Sequence, residues 1–95
     1  MKRLYVLVSD KLKPVYGCVQ GGHAVAQWLL DNKNTQTWNN NYLIYVYADI
    51  DKWIYKLNLK NLNFSIFNEP DLENIPTAIA IESDGSMFKN LKMVE

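Results

Sequence analysis

The sequence predicts an α/β layered domain whose elements run in the order β-α-β-α-β-β. Two observations carry that prediction. Short runs dense in β-branched and aromatic residues, such as RLYVLV and YLIYVYA, alternate with segments whose apolar residues recur at three- and four-residue steps. Each strand-helix-strand connection returns a parallel strand by a right-handed crossover, which closes the pattern into a sheet covered by helices. A chain of 95 residues is read as one domain, residues 1–95, able to bury a modest core without disulfide staples.

Taken in order, Arg3–Val8 is a continuous apolar run, the pattern of a strand covered on both faces, and belongs at the centre of the sheet. After the SDKLK loop, Pro14 opens a helix that runs to about Asp31, since the N–H that proline lacks would be unpaired in a first turn anyway. Cys18, Val19, Gly22, Val25, Ala26, Leu29 and Leu30 are expected to form its buried stripe, with Gln20, His23, Ala24 and Gln27 on another face. On that reading Gly22 lets the helix approach the sheet, whereas Gly21 lies off the stripe and is free to admit a ligand or a partner. Cys18 reads as a small core residue, with nothing cationic beside it to make a nucleophile.

Asn32–Asn41 is polar and without apolar period, a connection anchored by Trp38. Tyr42–Ala48 is a second strand. Asp49 or Asp51 can cap a second helix that carries Ile50, Trp53, Ile54 and Leu57 at helical spacing. Asn63–Asn68 is a third strand, Glu69–Pro76 a loop and Thr77–Ser83 a fourth strand; the chain then closes with a turn at Asp84-Gly85 and a short amphipathic piece.

Ten basic residues balance ten acidic ones, so the field of the whole molecule does not steer it toward nucleic acid. The single Cys cannot form an internal disulfide, no Cys/His cluster has metal-ligand spacing, and the N-terminal apolar run is too short for a signal peptide or membrane span. The expectation is a soluble, cytoplasmic protein with no cofactor, no metal and no membrane partner.

In open α/β sheets ligands bind beyond the carboxyl ends of parallel strands. That rule gathers the SDKLK loop, the start of the glycine-bearing helix and the EPDL loop. Glu69 and Asp71 are candidate general bases there, because a carboxylate can take a proton from water; both are also ordinary loop formers. His23 offers one donor and one acceptor with which to orient a water or an ester, and its plainer reading is a structural histidine. Gln20 lies one turn before it.

An N-terminal apolar strand, a Lys-bearing loop, the helix motif VQGGHA and an acidic loop leading into TAIAI together resemble the type II peptidyl-tRNA hydrolase family. Gln20, Gly22, His23 and Ala24 match the family's helix pattern in place, and the likeness in element order spans nearly the whole chain. The resemblance implies a three-layer fold, a mixed four-stranded sheet of order 2-1-4-3 with the fourth strand antiparallel and helices on both faces. It also implies hydrolysis of the ester between a peptide and the 3′ ribose of a tRNA.

The family sets a Lys, an Asp and a Thr around that ester. In this chain Thr77 takes the threonine's place and Glu69 stands where the family has Asp, with Asp71 close by. Tyr16 falls where the lysine belongs, leaving Lys13, one turn away, as the nearest cation. The resemblance thus implies a catalytic set of Glu69, His23, Asp71 and Thr77 and a substrate-binding set of Lys11, Lys13, Tyr16 and Gln20. A second reading keeps the fold without the chemistry, as a binding module for tRNA ends or a protein. Binding to tRNA is expected to be weak and salt-sensitive, with Lys2, Arg3, Lys11, Lys13 and Lys33 near the site and Glu69, Asp71 and Glu73 opposing phosphate. Trp28 or Trp38, if exposed, is a candidate anchor for a homodimer or another partner.

Overall fold

The computed structural model describes residues 2–35 and 38–94. Its elements are β1 (Arg3–Ser9), α1 (Pro14–Asp31), β2 (Leu43–Ala48), α2 (Ile50–Leu59), β3 (Ser65–Glu69) and β4 (Ile75–Ser83), with 3-10 turns at Pro70–Leu72 and Ser86–Phe88. Gln36 and Thr37 of the predicted connection lie outside the described residues.

The strands form one mixed sheet in the order β2-β1-β4-β3. β1 pairs with β2 in parallel, and β4 runs antiparallel to both β1 and β3, so β1, β2 and β3 all point the same way. Even-numbered residues of β1 and β4 face α1: Leu4, Ala78 and Ala80 pack with Ala24, Trp28 and Trp38. Odd-numbered ones face α2 and the C-terminal turn, where Tyr5, Leu7, Ile79 and Ile81 pack with Trp53, Leu57 and Phe88. Three layers result, with β1 at the centre and Leu4, Val6, Leu7 and Val8 fully buried.

Local signals set the element boundaries. Pro14 sits in the first turn of α1, and the Asp49 carboxylate accepts from the Lys52 N–H at 3.3 Å to cap α2. The C-terminal tail blunts the outer edge of β2: Val46 bridges Met93, Tyr47 N–H donates to Lys92 O and Val94 N–H to Tyr45 O.

The buried face of α1 is not the expected one. Gly17, Gln20, Gly21, Ala24 and Trp28 face the sheet, while Val19 is 52% and Leu30 68% exposed and Gly22 and Ala26 are exposed as well. The roles of the paired glycines are therefore reversed. A Cβ on Gly21 would lie 2.6 Å from Tyr45 Cε2, 2.9 Å from Val8 Cγ1 and 3.0 Å from Val6 Cγ1, so it is Gly21 that permits close contact with the sheet. Gly22 has nothing within 4 Å of that position. Periodicity misled because α1 is apolar on both sides. The sheet took the side whose small residues let the backbone approach and whose one polar residue, Gln20, finds partners.

Trp28 and Trp38 are buried, meet edge to face with ring centroids 6.5 Å apart, and Trp38 Nε1 donates to Tyr42 O at 2.9 Å. Neither is an exposed anchor for a dimer. They close the α1 side of the core instead.

Candidate functional site

The carboxyl ends of β1, β2 and β3 lie at one edge of the sheet, together with the start of α1 and of β4. Across this edge runs a chain of side-chain hydrogen bonds. Thr77 Oγ1 donates to Gln20 Oε1 at 2.6 Å, Gln20 Nε2 donates to Glu69 Oε1 at 3.1 Å, and the Tyr16 hydroxyl donates to the same oxygen at 3.3 Å. Gln20 is 0%, Thr77 1% and Glu69 9% exposed, so each link counts in a setting where an unpaired polar group costs about 1–3 kcal/mol.

Thr77 reaches Gln20 because β4 carries a bulge. Phe67 pairs with Ala78 and Asn68 with Pro76, which leaves Thr77 as the extra residue between them. Plain alternation would send Thr77 to the α2 side with Ile79 and Ile81. The bulge brings it to the α1 side instead. Pro76, which has no N–H to give a ladder, sits beside this irregularity, where proline is tolerated in a strand.

The carboxylate also fixes the amide. Because a carboxylate only accepts, Gln20 must turn its NH2 group to Glu69 and its carbonyl oxygen to Thr77, whose hydroxyl then donates. Glu69 thus receives two donors on Oε1, while Oε2 accepts from no group among the described residues and is not sealed from solvent. Burial, and after it the charge of the Glu69 carboxylate, hold the Tyr16 hydroxyl above its usual pKa, so it remains a donor.

The expected residues divide into three groups. Tyr16, Gln20, Glu69 and Thr77 come together. Asp71 is exposed in the turn after β3, near enough to Tyr16 for its charge to add to the upward shift. His23 is exposed and stacks on Phe67, ring centroids 4.5 Å apart and 13° between planes, and makes no hydrogen bond to Glu69. Lys13 is exposed at the N-cap of α1. Lys11 lines a cavity of about 390 Å3 together with Ser9, Asp49, Asp51, Ile75 and Thr77. Glu69 does not line that cavity, and Thr77 is the residue that joins the cavity to the hydrogen-bond chain.

The basic group does not gather as expected. Lys2 and Arg3 lie at the start of β1 and Lys33 follows the end of α1. Seven residues of β1, about 20 Å, separate the first two from the site. Arg3 lies over the Tyr42 ring, 5.4 Å from its centre. Lys11, Lys13 and Lys52 remain at the carboxyl edge, against Asp10, Asp49, Asp51, Asp71 and Glu73. A larger cavity of about 520 Å3, lined in part by Lys2, Trp28, Asn63 and Ser83, opens at the opposite edge and is lined by none of Lys11, Lys13, Tyr16, Gln20, His23, Glu69, Asp71 and Thr77.

Among the described residues, no group of three His, Cys, Asp or Glu side chains could hold a metal ion, and no helix is long and apolar enough to cross a membrane. Gln20, expected to face substrate, instead links Thr77 to Glu69. The available signal was its position one turn before Ala24 and two before Trp28, all on one face.

No family model matches the sequence, and no curated protein matches it. Among solved structures the chain is similar to a protein of unknown function, Atu0240 from Agrobacterium tumefaciens str. C58, with a TM-score of 0.70 at 11% identity, covering 97% of this chain and 96% of that one. At that identity the likeness speaks for the fold alone.

Proposed function

We propose that the chain hydrolyses the ester between a peptide and the 3′ ribose of a tRNA, with Glu69 as the base. The observation that carries the reading is Glu69 itself, a nine-tenths-buried carboxylate with Oε1 held by Gln20 and Tyr16 and Oε2 left to accept. In this scheme Oε2 takes a proton from water as the water oxygen bonds to the ester carbonyl carbon. The tetrahedral intermediate then breaks its bond to the ribose oxygen, which leaves with the proton returned by Glu69. Lys11 or backbone N–H groups meet the charge that develops on the carbonyl oxygen. The resemblance in VQGGHA and the acidic loop supplies the substrate class.

A second reading, a binding module that captures a tRNA end or a protein without cleaving it, is favoured by Tyr16. It stands where the family's lysine belongs, cannot carry a fixed positive charge, and gives its hydroxyl to Glu69. A defined peptidyl-tRNA separates the two. Ester cleavage above a no-protein control, at high protein and low salt, supports the enzyme; none removes it. Binding measured on the same RNA is expected to be weak. With only Lys11, Lys13 and Lys52 at the edge, log K should fall with log salt no more steeply than about −3.

A further inference from the structure

From Pro14 to Leu30, α1 carries no Asp, Glu, Lys or Arg. One side of it is covered by the sheet through Gly17, Gln20, Gly21, Ala24 and Trp28. On the opposite side Val15 is 79%, Val19 52%, Leu29 38% and Leu30 68% exposed, with exposed Gly22 and Ala26 between them. Steps of four, three, four and three residues through 15, 19, 22, 26 and 29 put these positions on one line along the helix. A helix that is apolar on both sides requires a second cover.

We propose that this cover is a second copy of the chain, docked through α1 in antiparallel fashion about a two-fold axis at Gly22. The pattern is self-complementary about that point. Gly22 lies at the middle of Pro14–Asp31, so the axis sets Gly22 against its own copy, Cys18 against Ala26, and Val15 against Leu29, with Val19 and Leu30 flanking. Small side chains fall at the crossing, where two backbones must approach, and large ones fall at both ends. The space at Gly22 is open, with nothing within 4 Å of a Cβ placed there.

Area and charge agree with this occupant. Val15, Val19, Leu29 and Leu30 leave roughly 400 Å2 of apolar surface on each copy, within the range of the largest patch on a monomer, which is often a functional one. With Gly22, Ala26 and the flanking atoms, the pair buries on the order of 1,000 Å2, the lower bound for a specific interface. A net charge of zero sets no repulsion against self-association. A two-fold axis also makes the contact closed, so pairing stops at a dimer.

Sedimentation of the full chain from micromolar to several hundred micromolar tests this. The expected result is a monomer-dimer equilibrium that Val19→Glu shifts at least about tenfold toward monomer, with the circular dichroism of the fold unchanged. As a second readout, Gly22→Cys on a Cys18→Ser background should form a covalent dimer with an added oxidant, while Leu59→Cys, exposed on α2, should not. A wild type that stays monomeric throughout overturns the proposal. So does a dimer that neither responds to Val19→Glu nor cross-links through position 22. A monomer that floats with phosphatidylcholine–phosphatidylglycerol vesicles assigns the face to a lipid surface and likewise overturns it.

Discussion

Gln20 Nε2 donates to Glu69 Oε1 at 3.1 Å, joining residues 49 positions apart in the chain. This contact ties α1 to the end of β3, and Thr77 supports it from β4 through the other end of the amide. The side chain is fully buried, so its polar atoms have no water to fall back on. Gln20→Leu should destabilise the fold by about 1–3 kcal/mol, because it leaves Thr77 and Glu69 each short of a partner. Urea unfolding measures it, and a loss below about 0.5 kcal/mol, within the range of an ordinary surface substitution, would mean that the chain of bonds does not hold.

For the proposed chemistry, Glu69→Gln should lower hydrolysis by on the order of a hundredfold, the usual scale for removing a general base. The substitution keeps a carbonyl oxygen able to accept from Gln20 and Tyr16, so the fold should survive. Lys13→Ala should have a clearly smaller effect, since Lys13 is exposed and Lys11 or backbone N–H groups can replace it. Rates on a peptidyl-tRNA decide the matter. If Lys13→Ala abolishes cleavage while Glu69→Gln stays near wild type, the base assignment fails.

The two adjacent glycines should answer oppositely to alanine. Gly21→Ala drives a methyl into Tyr45, Val8 and Val6 and should cost about 1–3 kcal/mol. Gly22→Ala meets nothing within 4 Å and, in dilute protein, should add about 1 kcal/mol through helix propensity. Thermal melts of both variants check this. Equal effects would place the α1 backbone differently against the sheet.

Alkaline stability should reflect Tyr16. Its hydroxyl pKa is raised by burial and by Glu69, so folding favours the protonated phenol. The contribution is complete below the usual tyrosine pKa of about 10 and is lost as pH rises through the folded-state value, where the folded protein holds a proton that the unfolded chain releases. Tyr16→Phe should therefore flatten part of the loss of stability above pH 10, as read by urea midpoints against pH. Tyr45, also raised, chiefly by burial, should account for part of what remains. An unchanged slope in Tyr16→Phe would show that the hydroxyl is not held by Glu69.

Much of the fold was legible because its signals are local. Apolar β-branched runs, Pro14 and Asp49 marked where strands and helices begin, and the observed elements follow within a few residues. The resemblance carried the strand order 2-1-4-3, which the sheet has. The candidate site was legible as residue types: Tyr16, Gln20, Glu69 and Thr77 were each singled out and do meet.

The sequence by itself determined the number, kind and order of elements, since each depends on side chains within a turn or two of one another. Tertiary structure alone decided which side of α1 is buried. Both sides are apolar, so no local term separates them, and the choice rests on the fit of Gly21 against Tyr45, Val8 and Val6. It also decided that Thr77 faces Gln20, because the bulge that turns it exists only in the pairing of β3 with β4. His23 left the constellation for the same kind of reason: its ring found Phe67 on a strand 44 residues away in the chain. Contacts between distant segments set these outcomes, and a local pattern holds no record of what its far side will meet.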